Sequence, residues 1–97
     1  MRSKRITICA VEIHSSARRH GCTDEDIQHA ILLQLVADDL GDDDTPYRLL
    51  ILGPDTAGNF LEIIVLIFDD ERRMAIHAMP VRAKYLPLLP NPGAKNA

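Results

Sequence analysis

The sequence predicts an α+β domain with two N-terminal helices, a three- or four-stranded antiparallel meander and a short C-terminal helix. In the first 40 residues, apolar side chains recur at helical spacing near residues that start and stop helices. From residue 47 to residue 79, three apolar runs alternate with short segments rich in turn residues, as in a meander of strands. The length of 97 residues fits one domain, which we place at residues 1–88, with a flexible tail at 89–97.

The first predicted helix covers residues 10–21. His14 and Arg18 lie one turn apart in it, and Gly21 follows as a C-cap. Ahead of it, apolar and polar residues alternate over 6–9, and a strand at that position would be the fourth member of the sheet.

The second predicted helix starts after Thr23 and runs to about Leu40. A hydroxyl cap and three carboxylates at the positive end of the helix dipole mark its start: Asp24, Glu25 and Asp26. The helix is apolar on more than one side, because four apolar residues lie outside its main stripe: Leu32, Leu33, Val36 and Leu40. Either a partner protein or a second copy in a homodimer covers these residues, or the first helix and the C-terminal segment do.

Three runs of residues form the predicted strands: 47–53, 60–68 and 73–79. They are bordered by segments rich in acidic and turn residues: 41–46, 54–59 and 69–72. The middle run is apolar almost throughout, as expected for a central strand that is covered on both faces, and Glu62 is its exception. Pro80 ends the last strand and opens the short C-terminal helix.

Alternation along the last strand predicts which of its side chains share a face. One set faces the core, namely Met74, Ile76 and Ala78, and the other set faces away, namely Ala75, His77 and Met79. If the turn at 69–72 has an even length, Glu62 lies opposite Met79 and diagonal to His77. A neighbouring carboxylate fixes the tautomer of an imidazole, which suits a general acid or base. The alternative is an ion pair that only satisfies two polar groups.

A basic segment with Arg82, Lys84 and Tyr85 follows this strand. Cleavage of RNA without a metal needs a base for the 2′-hydroxyl, an acid for the departing 5′-oxygen and fixed positive charge at the phosphate. The side chains that can meet these requirements are our catalytic candidates: His77, Arg82, Lys84, Tyr85 and Glu62. His14 and Arg18 extend the predicted site as substrate-binding residues, whereas we assign His20 and His29 to helix packing or capping.

Charge, cysteine content, apolar runs and histidine spacing limit the classes of protein to which this chain can belong. The formal net charge is −3, but five aspartates crowd residues 38–44, so basic residues elsewhere are compatible with a phosphate-binding surface. Two cysteines are too few for a disulfide framework. No apolar run is long enough to cross a membrane. Both observations favour a cytoplasmic protein. The four histidines form neither an i, i+4 pair nor a zinc knuckle, so we expect no metal and no cofactor.

Four segments carry a resemblance to known proteins: HGCTDEDIQHA at 20–30, LGPD at 52–55, FLEII at 60–64 and IHAMPVRAKY at 76–85. They resemble a group of small actinobacterial proteins that are mostly uncharacterised or labelled as toxins. The order of elements also resembles BrnT, a family of ribonuclease toxins with a RelE-like fold. Where BrnT proteins have Ile-Ser-Ala-Arg, this chain has Ile76-His77-Ala78-Met79.

Two functions therefore stay open at the level of the sequence. The resemblance implies a metal-independent ribonuclease toxin of a type II toxin–antitoxin system, with RNA as substrate and an antitoxin protein as partner. The alternative is a toxin-like module without catalytic activity, which dimerises or binds a protein partner through the second helix.

Overall fold

A computed structural model describes residues 11–90. This part of the chain is an α+β structure in which five strands form one mixed sheet in the order β1-β5-β4-β3-β2. The elements follow the chain as β1 (Val11–Ile13), α1 (Asp24–Leu32), β2 (Val36–Asp39), β3 (Tyr47–Pro54), β4 (Phe60–Ile67) and β5 (Arg73–Pro80). Two 3₁₀-helices accompany them, the first at Ser15–Arg18 and the second at Ala83–Leu88. The predicted strand at 6–9 and most of the predicted tail lie outside the described residues.

The first predicted helix is wrong. Val11–Ile13 is instead a strand that pairs in parallel with the start of β5, and only the first 3₁₀-helix interrupts the loop that follows. β-Branched residues at both ends of this short segment fit a strand, and His14 continues the pairing by donating its backbone N–H to the carbonyl of Ala75 at 2.9 Å. Val11 is buried by this pairing, so a tertiary contact outweighs the helical pattern.

The second predicted helix starts as expected but ends eight residues early. Thr23 caps it, because the backbone N–H of Asp26 donates to the Thr23 hydroxyl at 3.1 Å. The helix ends at Leu32, and Val36–Asp39 then pairs antiparallel with β3. The prediction fails because the outer edge of β3 offers backbone hydrogen bonds that a longer helix would leave unused. Leu32, Leu33, Val36 and Leu40 therefore do not share a helix.

The single α-helix of residues 11–90 covers one face of the sheet, which we call the helix face. The core lies here, where Ile27, Ala30 and Ile31 pack against side chains of β3, β4 and β5. Gly53 permits this close approach, because a Cβ at that position would lie 2.1 Å from the carbonyl oxygen of Ala30. Helix and sheet thus meet backbone to backbone at one point.

The three predicted strands of the meander are confirmed within one residue at each end. β3 pairs antiparallel with β4 along its whole length, and β4 pairs antiparallel with β5. They form part of a larger sheet than predicted, because β2 extends the antiparallel portion to four strands and β1 adds a parallel edge.

None of the helices within residues 11–90 is long and apolar enough to cross a membrane.

A β-bulge at Ile76 sets which residues of β5 share a face. Val65 pairs with Ala75 and Ile64 with His77, so Ile76 is an extra residue between two ladder positions. Ala75 and Ala78 consequently both lie in the core of the helix face, and the predicted alternation, which separated them, is wrong there. The side of the sheet that carries Glu62, His77 and Met79 is the opposite face.

The predicted pairing of Glu62 with Met79 is confirmed, although for a different reason. The turn between β4 and β5 has three residues rather than an even number, with Glu71 at a φ of 73° and the Phe68 N–H donating to the Arg72 carbonyl at 2.9 Å. Next to this odd turn, the pairing of β4 with β5 is one residue away from the predicted register. The extra residue at Ile76 restores the predicted register from Ile64 to Glu62.

Candidate functional site

Glu62 is a fully buried carboxylate on the opposite face of β4, with a relative exposure of 0%. Its position follows from the alternation of β4, which puts Leu61 and Ile63 into the core and Glu62 on the other side. A buried charge is stable only when hydrogen-bonding groups surround it. Here His77 on β5 and Arg82, just before the second 3₁₀-helix, supply those groups.

Arg82 binds Glu62 through both its backbone and its side chain. The backbone N–H donates to Oε1 at 2.9 Å, Nη2 donates to Oε2 at 2.6 Å, and Nε lies 3.0 Å from Oε2 and 3.1 Å from Oε1. Charge-assisted contacts of this forked geometry are among the stronger hydrogen bonds in proteins. Glu62 therefore anchors the segment that leaves β5.

His77 completes the environment of Glu62. Its Nε2 lies 3.0 Å from Oε2, and its side chain is 24% exposed. Burial raises the pKa of the Glu62 carboxyl, but the hydrogen bonds from Arg82 and His77 outweigh burial and bring the pKa below its ordinary value. The carboxylate is thus ionised at neutral pH and can only accept, so His77 donates this hydrogen bond from Nε2.

The remaining predicted catalytic residues lie beside this pair. Pro80 ends β5, and the Val81 N–H donates to the Phe60 carbonyl at 3.0 Å, which directs the chain across the opposite face. The Tyr85 ring then lies 5.8 Å from the Arg82 guanidinium carbon and 5.0 Å from Lys84 Nζ. The structure therefore brings the five predicted catalytic residues into one chain of contacts.

His20 belongs to the same cluster, although the sequence analysis assigned it to packing or capping. Its ring meets the ring of His77 edge to face, with centroids 5.7 Å apart and an interplanar angle of 74°. The contact depends on the parallel strand β1 and on the bulge in β5. Neither has a recognisable signal in the sequence, so the pattern around His20 does not reveal its neighbour.

The predicted substrate-binding residues have other partners. His14 caps the first 3₁₀-helix by accepting the Ser16 N–H at 3.1 Å through Nδ1. Arg18 forms an exposed ion pair with Asp24, with Nε 2.6 Å from Oδ1 and Nη2 3.0 Å from Oδ2. Their predicted spacing on one helix is wrong because that helix does not form. Within residues 11–90, no hydrogen bond or ion pair joins either of them to His77 or Arg82.

His29 occupies a structural position on α1. Its Nδ1 lies 2.8 Å from the carbonyl oxygen of Pro54, so it ties the helix to the end of β3. This contact agrees with the packing role expected for it from the sequence.

The predicted partner-binding residues are split between two environments. Leu32 and Leu33 are 59% and 48% exposed at the end of α1, and Leu35 beside them is 52% exposed. Val36 and Leu40 are partly buried near the two ends of β2. We refer to Leu32, Leu33 and Leu35 as the leucine corner; it is an apolar surface at the start of the edge strand β2.

Within residues 11–90, no group of three or more histidine, cysteine, aspartate or glutamate side chains has the arrangement of a metal site. Comparisons of the chain with protein-family models, with curated proteins and with solved structures found no match.

Proposed function

We propose that the protein is a metal-independent endoribonuclease that cleaves RNA at the opposite face of its sheet. The observation that supports this proposal most directly is the position of Glu62, which binds a histidine and an arginine at once. An oriented imidazole and a guanidinium held side by side suit proton transfer at a phosphodiester.

The proposed reaction begins at His77. Its Nδ1 accepts the proton of the 2′-hydroxyl, and the 2′-oxygen attacks the neighbouring phosphorus. The bond from phosphorus to the 5′-oxygen then breaks, and that oxygen takes a proton from a second donor of the site. The products are a 2′,3′-cyclic phosphate and a 5′-hydroxyl. The carboxylate of Glu62 orients His77 and stabilises the imidazolium that forms, because it accepts the hydrogen bond from Nε2.

Arg82 supplies fixed positive charge at the phosphate. Its Nε and Nη2 bind Glu62, whereas Nη1 has no hydrogen-bond partner among residues 11–90, and we assign its N–H groups to a phosphate oxygen. The Tyr85 ring lies beside the guanidinium and Lys84 lies beside that ring, and both hold further oxygens of the substrate. The exposed positions of Arg82 and Lys84 leave room for a polymer such as RNA.

The toxin–antitoxin setting rests on the resemblance of segments such as 76–85 to toxin-like proteins. In that setting an antitoxin protein binds the domain and restrains its activity. A second candidate function, a module that only dimerises or binds a protein, draws support from the exposed leucine corner. The tight pairing of Arg82 with Glu62 fits that candidate too, because it partly neutralises the cation.

Induced expression in a bacterial host tests the enzyme proposal against this alternative. Wild-type protein should slow growth and degrade cellular transcripts, and His77→Ala and Arg82→Ala should relieve both effects. Arg72→Ala is the matched control, because Arg72 also pairs with a carboxylate, Asp70, but lies in the turn before β5. Intact transcripts in cells that accumulate folded wild-type protein without a partner would favour the interaction module instead.

A further inference from the structure

We infer that His20 is the second proton carrier of this site and donates the proton that the departing 5′-oxygen requires. The assignment rests on the proposed ribonuclease function. The sequence alone predicts proton exchange by a single histidine, His77, and a packing or capping role for His20. The edge-to-face contact of His20 with His77, at 5.7 Å between ring centroids, is the observation that carries it.

The contact places two imidazoles within reach of one phosphodiester. His20 is exposed and His77 is partly exposed, so an RNA strand can approach both rings from solvent. A centroid separation of 5.7 Å is comparable to the size of one phosphodiester group, so we infer that the two rings serve different oxygens of the same phosphate. Of the other candidate proton donors, Tyr85 instead contacts Arg82, and Lys84 contacts the Tyr85 ring.

The fold holds His20 in this position through the β-bulge. The hydroxyl of Ser16 donates to the carbonyl oxygen of Ile76 at 2.6 Å, which docks the first 3₁₀-helix against β5. The chain then turns through His20 to Gly21, whose φ of 87° suits glycine, and the Gly21 N–H donates to the Arg18 carbonyl at 3.1 Å. A short turn with these fixed ends restricts where the His20 ring can lie.

The surroundings of the two rings assign the roles of base and acid. Glu62 from β4 binds His77 directly, and the same carboxylate is paired with Arg82 from the segment after β5. Within residues 11–90, no carboxylate pairs with His20, and its neighbour Arg18 is paired with Asp24. We therefore assign to His77 the uptake of the 2′-hydroxyl proton and to His20 the donation of a proton to the 5′-oxygen as its bond to phosphorus breaks. In this step His77 gains one proton and His20 loses one.

A substrate with a sulfur atom in place of the bridging 5′-oxygen tests this assignment, because a thiolate leaves without being protonated. On ordinary RNA, His20→Ala and His20→Asn should each slow cleavage by ~10²–10⁴-fold relative to wild type. On the 5′-thio substrate, both His20 variants should cleave at nearly the wild-type rate, while His77→Ala should stay slow. Circular dichroism of each variant confirms that it is folded.

Two results would overturn the assignment while leaving the ribonuclease proposal in place. One is a His20 variant that cleaves ordinary RNA as fast as wild type, and the other is a His20 variant that is slowed equally on both substrates. Wild-type protein that cleaves neither substrate would instead refute the ribonuclease proposal, and the role of His20 with it.

Discussion

The hydroxyl of Ser16 donates a hydrogen bond of 2.6 Å to the carbonyl oxygen of Ile76, the extra residue of the bulge in β5. A bulge leaves a backbone group outside the ladder, and this contact satisfies it. The same contact ties the turn that carries His20 to the strand that carries His77. One polar contact thus supports the mutual position of the two imidazoles.

Ser16→Ala should weaken the contact between the two imidazoles. Loss of one hydrogen bond should lower the free energy of unfolding by about 1 kcal/mol. Nuclear Overhauser effects between the ring protons of His20 and His77 measure the contact, and these should fade in the variant. Ser15→Ala is the control, because Ser15 is exposed in the same 3₁₀-helix. Ring contacts of equal strength in both variants would show that the bulge does not hold His20.

The Glu62 carboxylate should stabilise the fold in a pH-dependent way. Its pKa is lower in the folded protein than the unfolded value of about 4.3, so the stabilisation is complete above that pH and is lost as pH falls through the folded-state pKa. Glu62→Gln should lower the free energy of unfolding by about 1–3 kcal/mol at pH 7, because charge-assisted hydrogen bonds are replaced by neutral ones. The difference between wild type and variant should shrink towards pH 3.

Urea unfolding of both proteins between pH 3 and pH 7 measures this difference. The variant keeps some acid sensitivity, since hydrogen bonds hold the pKa values of other carboxyl groups below their usual range: Asp24, Asp26, Asp42 and Asp70. Only the gap between the two curves therefore reports on Glu62. A gap that stays constant over this pH range would contradict the ionised, paired state of Glu62.

Gly53→Ala should destabilise the packing of α1 on the sheet. The new Cβ would lie 2.1 Å from the backbone oxygen of Ala30, so the helix must shift, at a cost of about 1–3 kcal/mol or more. At Gly58 an added Cβ meets nothing within 4 Å, and only the positive φ opposes it, at a cost of about 1–2 kcal/mol. Thermal unfolding should show the larger loss for Gly53→Ala, and equal losses would argue against the close helix–sheet approach.

The leucine corner should mediate association with a partner or a second copy. Burying such a side chain stabilises a complex by about 1.5–3 kcal/mol. Leu33→Asp should abolish association without loss of stability, because Leu33 is 48% exposed in the isolated chain. Sedimentation and pull-down from the host measure this, with Leu86→Asp as control, since Leu86 is 49% exposed in the second 3₁₀-helix. Wild-type protein that is monomeric and recovers no partner would contradict the prediction.

Local signals in the sequence were sufficient for the elements that depend on local chemistry. The hydroxyl of Thr23 and the carboxylates after it locate the start of α1, and the long apolar runs locate β3, β4 and β5. The alternation of side chains along β4 predicts that Glu62 lies on the face of the sheet opposite to its apolar neighbours Leu61 and Ile63. From these elements the proximity of Glu62, His77 and Arg82 could be predicted.

The remaining features depend on contacts between distant parts of the chain. Val11–Ile13 and Val36–Asp39 are too short for their apolar patterns to distinguish strand from helix, and they become strands because sheet edges accept them. The bulge at Ile76 offsets the odd turn before β5, and the Ser16 hydroxyl binds its carbonyl from a distant part of the chain. The position of His20 follows from all of these, so it could not be predicted from the sequence.

The chemistry of the RNA ends that purified protein produces in the presence of a metal chelator tests the ribonuclease site most directly. Wild-type protein should yield fragments with 2′,3′-cyclic phosphate and 5′-hydroxyl ends, identified by mass spectrometry. His77→Ala should reduce the rate by ~10²–10⁴-fold. Intact RNA with the folded wild-type protein, or equal cleavage by wild type and His77→Ala, would contradict the claim that Glu62 and His77 form the centre of a ribonuclease site.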